Sequence, residues 1–339
     1  MGLPKYRITC VFEDGATRRF EATAIDTVYT AALRSGLMLE TDCREGACGV
    51  CMAHCNEGEG DIGDISDEAL SPEQEEEGYV LTCQFRPQSD LVLAFGYPLS
   101  LLNKEVTTLQ AKVEALEPVA DAVMRLQLST AEEPPAFLPG QYMNITIPGT
   151  AQARSYSFAN PSAEPGKMEF FIRLLEQGAM SDYLRDRAAV GDEIQLQGPY
   201  GQFFLRKPRA GQVLMIAGGT GLAPMLSMLE ELAQLDERPQ VTVLYGANQP
   251  GELFGRERIE AYGDWVRLHR IVVTGDQHWD GPTGFVTDLL SETTLPDAAA
   301  TDAYLCGPPP MIEAAEQALA ERGVPADRVF AEKFLPSGS

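Results

Sequence analysis

The 339 residues predict a multidomain chain of mixed α+β and α/β character: a β-grasp module, an antiparallel β-barrel, then a parallel α/β sheet. Three observations predict it. Near the N-terminus, four cysteines fall in a C-x4-C-x2-C…C spacing among short strand patterns and one helical run. The middle of the chain breaks into many short apolar alternations divided by Pro- and Gly-rich turns. The final part alternates apolar strands with helical patterns, and its first strand runs into a glycine-rich turn.

In the first module, read as residues 1–98, the segments 6–12 and 17–22 alternate around Glu13-Asp14-Gly15 as a hairpin. Residues 27–37 place Val28, Ala31, Ala32 and Leu33 at helical spacing, with Gly36 as a stop. A strand follows Cys51, another at 80–82 leads into Cys83, and 97–105 is the expected linker. Cys43, Cys48, Cys51 and Cys83 have the spacing of a plant-type [2Fe-2S] site. Such thiolates must converge on two irons from one tight loop, and Gly46 and Gly49 let backbone come close to the inorganic sulfurs. Zinc is the competing occupant, but structural zinc sites pair two short cysteine knuckles or add histidines, and Cys83 has neither beside it. A disulfide framework suits neither the odd total of seven cysteines nor the absence of a secretory signal. Cys10 reads as a core thiol and Cys55 as structural.

The net charge of -24 argues against nucleic acid as a partner. No apolar run approaches the ~20 residues of a membrane span, and the opening residues lack a signal-peptide layout, so a cytoplasmic protein is expected. Ten acidic residues and no Lys or Arg lie between 57 and 77. That stretch reads as a solvated face, and it can also steer the module to a basic docking surface on an electron acceptor. Negative surroundings lower the potential of a cluster.

The second module, 106–207, has expected strands at 107–116, 123–128, 142–147, 155–158, 168–174 and 193–197, with one helix at 180–187. Arg154-Ser155-Tyr156-Ser157 opens a strand: an Arg to pair with phosphate, a Tyr to lie on an aromatic ring, a Ser to reach a ring nitrogen. Taken alone it is equally a half-buried strand. Gly178-Ala179-Met180-Ser181 starts the helix, where free N–H groups favour a pyrophosphate and Ser181 can cap and donate. Together they supply the two ends of a flavin nucleotide, FAD or FMN.

In the third module, 211–335, strands at 213–217, 241–245, 268–273 and 303–306 alternate with helices at 223–235, 258–262 and 311–322. Gly218-Gly219-Thr220-Gly221-Leu222-Ala223-Pro224 follows the first strand and opens a helix, the context of a phosphate-binding turn. Cys306-Gly307-Pro308 ends a later strand, and such strand ends face the ligand crevice. Between 246 and 255 there is no Lys or Arg, and Glu252 is acidic, which favours NADH over NADPH; Arg256 and Arg258 argue the other way.

The assembled order resembles the ferredoxin-NADP reductase superfamily carrying an N-terminal plant-type ferredoxin, and within it the benzoate and toluate dioxygenase reductases. The resemblance spans essentially the whole chain. It rests on Asp42-Cys43-Arg44-Glu45-Gly46 with Cys48-Gly49 and Cys51, Gly78-Tyr79-Val80-Leu81 before Cys83, and Arg86-Pro87 after it. Arg154, Tyr156, Ser157, Gly178 and Ser181 match the superfamily's FAD motifs, and Gly219, Gly221, Pro224 and Cys306-Gly307-Pro308 its nicotinamide motifs. The implied architecture is a β-grasp ferredoxin, an antiparallel β-barrel flavin domain and a parallel α/β nucleotide-binding domain. The resemblance also places Glu332 and Phe334 near the flavin, where an aromatic ring shields it; five residues follow Phe334 here, and a plain terminal strand is the other reading.

The implied activity is an NADH-dependent oxidoreductase in which hydride passes to flavin near Ser157 and Cys306, and single electrons leave through the cluster. The implied partner is a terminal oxygenase component of the Rieske non-haem iron type. Two rivals share these features: the reductase of a soluble diiron monooxygenase, and a redox-responsive binding module.

Overall fold

The computed structural model describes residues 3–103, 106–131, 136–161, 166–209 and 211–334. The last two residues of the expected linker and the tail after Phe334 lie outside them. Contacts divide the chain into two compact units: the N-terminal portion through residue 105 with Tyr200–Gln202, and Val106–Pro199 with the chain from Phe203 onward.

In the first unit, β1 (Lys5–Phe12) and β2 (Thr17–Thr23) form the expected hairpin. α1 (Val28–Arg34) begins at Thr27, whose hydroxyl accepts from the Thr30 N–H at 3.2 Å. It ends earlier than the apolar spacing predicts because Gly36, at φ +83°, reverses the chain. The Gly36 N–H then bonds to Leu33 and the Leu37 N–H to Ala32, the Schellman closure. β3 (Met52–Glu57), β4 (Gly60–Asp61), α2 (Pro72–Glu76), β5 (Tyr79–Leu81), β6 (Arg86–Pro87) and β7 (Leu91–Phe95) complete the unit.

The main sheet has the order β2-β1-β7-β3-β5, with β1 parallel to β7 and the other pairs antiparallel, which is the β-grasp arrangement. Alternate residues of the central pair, Ile8, Cys10 and Phe12 with Leu91, Leu93 and Phe95, form its core. Burial pushes the Cys10 thiol up to about 12, making it the inert core thiol its pattern predicts. α2 arises inside the acidic stretch from a reciprocal cap between Ser71 and Gln74, and it buries no residue.

The second unit opens with β8 (Thr107–Ala120), β9 (Val123–Ser129), β10 (Tyr142–Thr146), β11 (Ala153–Ser157), β12 (Lys167–Arg173), α3 (Ala179–Asp186) and β13 (Glu193–Tyr200). The antiparallel order is β11-β10-β13-β8-β9-β12. Its two edges meet where the Ala159 N–H bonds to the Glu169 carbonyl at 2.9 Å, closing the barrel around Leu126, Ile145, Phe158, Phe170 and Leu196. β8 runs past the expected Leu116 because two register irregularities, at Val113/Ala115 and Pro118/Ala120, let it bend and keep pairing with β9.

The parallel sheet follows: β14 (Gln212–Gly218), α4 (Leu222–Ala233), β15 (Gln240–Ala247), α5 (Arg256–Glu260), β16 (Val266–Val272), β17 (Thr301–Gly307), α6 (Pro309–Glu321) and β18 (Val329–Lys333). Its order, β16-β15-β14-β17-β18, reverses direction between β14 and β17. That is the switch point at which open parallel sheets take ligands, and the glycine turn and Cys306 stand at its two lips. The buried run Val213 to Ala217 explains why this strand was the clearest in the sequence.

Candidate functional site

The four candidate cysteine ligands come together as two pairs. Cys43 and Cys48, both half-buried, share a sulfur–sulfur hydrogen bond, and so do the buried Cys51 and Cys83. The Cys48 hydrogen bond, with backbone N–H groups of Glu45, Ala47 and Cys48, holds the Cys43 thiol well below its usual range. Within the second pair, the bond from Cys51 likewise lowers Cys83, while Cys51 is pushed up. Among the described residues, no three His, Cys, Asp or Glu side chains stand close enough to hold a single metal ion. Two thiol pairs with N–H donors trained on sulfur suit two irons better than one zinc.

The loop's glycines have a nearer cause than the inorganic sulfurs. Gly46 and Gly49 adopt φ +75° and +73°. A Cβ at Gly46 would also sit 2.5 Å from the Asp64 carbonyl oxygen, and one at Gly49 3.1 Å from that of Ala69. The acidic segment therefore backs the loop directly. The remote ligand is fixed by its neighbour: Thr82 donates through both N–H and hydroxyl to the Cys51 carbonyl, at 3.0 and 3.1 Å. Cys55 stays outside the set, its thiol turned to the Glu57 carbonyl at 3.5 Å.

On β11, the Arg154 and Tyr156 side chains are half-buried, Ser155 is exposed and Ser157 is buried, as the strand's alternation requires. Arg154 donates to the Ala153 carbonyl at 2.8 Å, and Ser155 to Asn144 at 2.7 Å. Gly178 is the N-cap of α3 and offers no side-chain bond, which leaves the first N–H groups of the helix open. Ser181 is not the cap its position suggests: its buried hydroxyl accepts the Leu175 N–H at 2.9 Å and ties the preceding turn to the helix. Met180 is a core residue of the barrel.

At the switch point, a Cβ on Gly221 would run into the Cys306 carbonyl oxygen, and one on Gly218 would lie 2.6 Å from Met311 Sδ. Thr220 is half-buried between them, and the turn Gly219–Gly221 leads directly into α4. Pro224 lies in the first turn of α4, where no intrahelical bond is lost, and Pro308 caps α6 in the same manner after Gly307.

The residues expected near the reacting atoms converge. Ser157 donates to Glu332 at 3.3 Å, Glu332 pairs in register with Cys306 across β17 and β18, and the Phe334 N–H bonds to the Gly307 carbonyl at 2.8 Å. Glu332 therefore lies on a terminal strand, with Phe334 packed beside the main core just beyond it. Burial pushes the Glu332 carboxyl up to about 8, while the Ser157 hydroxyl pulls it the other way. Burial and the neighbouring Glu332 raise the Cys306 thiol well above its usual range.

Both arginines that argued for NADPH are engaged elsewhere. Arg256 pairs with Glu260 at 2.6 Å, and Arg258 with Glu169 at 2.6 Å and Glu230 at 3.2 Å. Glu252 accepts the Asn248 N–H at 3.1 Å just beyond β15.

Residues 11–88 match the 2Fe-2S iron-sulfur cluster binding domain family, 110–205 the oxidoreductase FAD-binding domain family and 215–317 the oxidoreductase NAD-binding domain family. The toluate 1,2-dioxygenase electron transfer component of Pseudomonas putida is 35% identical over 98% of this chain and 99% of its own. The propane 2-monooxygenase reductase component of Rhodococcus jostii is 35% identical over 91% of this chain and 86% of its own. A crystal structure of an Amycolatopsis cytochrome P450 reductase superposes with a TM-score of 0.72 at 29% identity, covering 97% of this chain and 99% of that one. The chain thus belongs to the ferredoxin reductase superfamily, in the family of oxygenase electron transfer components that join 2Fe-2S, FAD and NAD domains in one polypeptide.

Proposed function

We propose that this oxidoreductase takes electrons from NADH and delivers them to the terminal oxygenase of an aromatic ring-hydroxylating dioxygenase. The observation that carries the reading is the end-to-end similarity to a dioxygenase electron transfer component. When bound, the nicotinamide supplies an electron pair as hydride, the flavin takes the pair and releases electrons singly, and the cluster carries one at a time.

The chain's residues provide distance, orientation and protons. Cys43 with Cys48, and Cys51 with Cys83, each hold one iron of a cluster in a module spanning 1–98. In the 106–207 module, Arg154 and the N–H groups at Gly178, Met180 and Ser181 hold flavin phosphates, while Ser155, Tyr156 and Ser157 line the ring. In the 211–335 module, Gly218, Gly219, Thr220, Gly221 and Pro224 receive the NADH pyrophosphate, and Cys306, Gly307 and Pro308 receive the nicotinamide end. Ser157 and Glu332 keep a proton available beside the flavin, and Phe334 covers the ring until nicotinamide displaces it. NADH is the preferred donor because Glu252 lies beyond β15 while Arg256 and Arg258 are held in ion pairs.

A Rieske acceptor suits the energetics: plant-type clusters lie near about -400 mV and Rieske centres at roughly -150 mV or above, so the transfer runs forward. A second reading, reductase of a diiron monooxygenase, is favoured by the relative named as a propane 2-monooxygenase reductase component. No helix among the described residues is long and apolar enough to cross a membrane, and we place the protein in the cytoplasm. The test is anaerobic titration with NADH, watching flavin and cluster bands bleach, followed by mixing with purified Rieske or diiron oxygenase. Unbleached bands overturn the reductase reading. Turnover with the diiron enzyme alone reverses the choice of partner, and poor turnover with artificial acceptors supports a sensor.

A further inference from the structure

The flavin-lining strand is gripped at two places by the nucleotide-binding half of the same unit. One grip is the Ser157–Glu332 bond. The other lies just beyond, where β11 runs out through Phe158 to Ala159 and Asn160, both of the latter buried. There Ser227 of α4, fully buried, donates to the Asn160 carbonyl at 2.7 Å. Arg258 of α5 donates to the Ala159 carbonyl at 2.8 Å and to the Glu169 carboxylate at 2.6 Å.

Glu169 is not an incidental partner. Its side chain is 8% exposed, it lies on β12 beside the barrel's closing bond, and it also binds Arg125 at 2.7 Å. Arg258 is oriented from its other side by Glu230 of α4 at 3.2 Å. A buried, multiply bonded ion pair adds little net stability over an apolar contact, because desolvation offsets the attraction; it does impose one geometry. Here that geometry links two cofactor platforms. α4 continues from the turn Gly219–Gly221, Gly221 abuts Cys306, Cys306 is in register with Glu332, and Glu332 returns to Ser157. The circuit closes on itself, so the separation of glycine turn and flavin strand is set by its polar links.

We propose that Arg258 and Ser227 are positioning residues for hydride transfer, fixing the distance between nicotinamide and flavin through Glu169, Ala159 and Asn160. This rests on the proposed NADH-to-flavin reaction, in which one hydrogen nucleus and two electrons leave NADH, yielding NAD+ and two-electron-reduced flavin. Reaction across such a gap is steep in distance: a misplacement of about 1 Å can cost ~100-fold.

The experiment uses loaded wild-type protein, Arg258→Met, Ser227→Ala and the double variant Glu169→Gln/Arg258→Met, in which Arg125 keeps its bond to Glu117. Stopped-flow reduction by NADH gives the limiting rate and half-saturation concentration. The long-wavelength absorbance of NAD+ stacked on reduced flavin reports the geometry separately from turnover, and flavin content with thermal melting reports folding. We expect a limiting rate lower by about tenfold or more, weaker long-wavelength absorbance, and half-saturation within about threefold of wild type, with reduction by dithionite unchanged. Wild-type limiting rate and absorbance in both Ser227→Ala and the double variant would overturn the inference, even if Arg258→Met fails to fold. Failure of the wild-type protein to be reduced by NADH would instead overturn the proposed function.

Discussion

Ser157 and Glu332 lie 175 residues apart in the chain and share a 3.3 Å hydrogen bond. The contact joins the flavin-lining strand to the last strand of the parallel sheet, and it contains a carboxyl held up to about 8 by burial. Folding therefore raises this acid above its ordinary 4.5, and the native state keeps a proton that the unfolded chain releases between those values. The associated stability is complete below 4.5 and is lost as pH rises through 8. Thermal melts of wild type and Glu332→Gln from about pH 5 to pH 9 should show wild type losing stability relative to the variant, by on the order of 1–3 kcal/mol. Parallel curves would contradict the assignment.

Gly221→Ala should weaken NADH binding by about tenfold or more while leaving flavin content intact, because its Cβ meets the Cys306 carbonyl oxygen and only backbone displacement relieves the clash. Equilibrium titration with NAD+ measures the loss. The same substitution at Gly211, with nothing within 4 Å, should be silent.

Serine at Cys43, Cys48, Cys51 or Cys83 should abolish acid-labile sulfide and the visible cluster bands, with NADH-driven ferricyanide reduction at the flavin retained. Cys55→Ser should keep the cluster in full, since its thiol faces the Glu57 carbonyl. Sulfide analysis of the five purified variants decides between them.

Much of this was legible in the sequence because it is local. Cysteine spacing, the apolar run before the glycine turn and the Gly36 stop each depend on residues a few positions apart. The roles of Arg258 and Ser181 were not. Arg258 looks like a phosphate ligand until the fold brings Glu169 beside it, 89 residues away in sequence. Ser181 looks like an N-cap until the turn at Leu175 claims its hydroxyl. α2 was hidden for another reason: its cap holds a helix with no buried face, so there is no apolar periodicity to read.

Asp26 offers a test in the first unit. The paired guanidinium of Arg34 holds its carboxyl well below the usual range, and the Thr23 N–H and hydroxyl bond to it at 2.8 and 2.7 Å. A depressed acid contributes stability above its ordinary 3.8 that is lost as pH falls through the native value. Asp26→Asn should cost about 1 kcal/mol at neutral pH, since Arg34 is largely exposed, and the difference should shrink in acid. Urea unfolding followed by far-UV circular dichroism measures both.

The paired cysteines make the two irons unequal in their mounting. One pair sits wholly within a partly exposed loop, whereas the other joins the start of β3 to the end of β5, strands already laddered through Met52 and Leu81. Chelators and peroxide would strip the loop-held atom first, while the strand-held atom would persist until the ladder itself came apart. Ageing of this protein would then begin at its rim, with half-demetallated intermediates ahead of any loss of secondary structure.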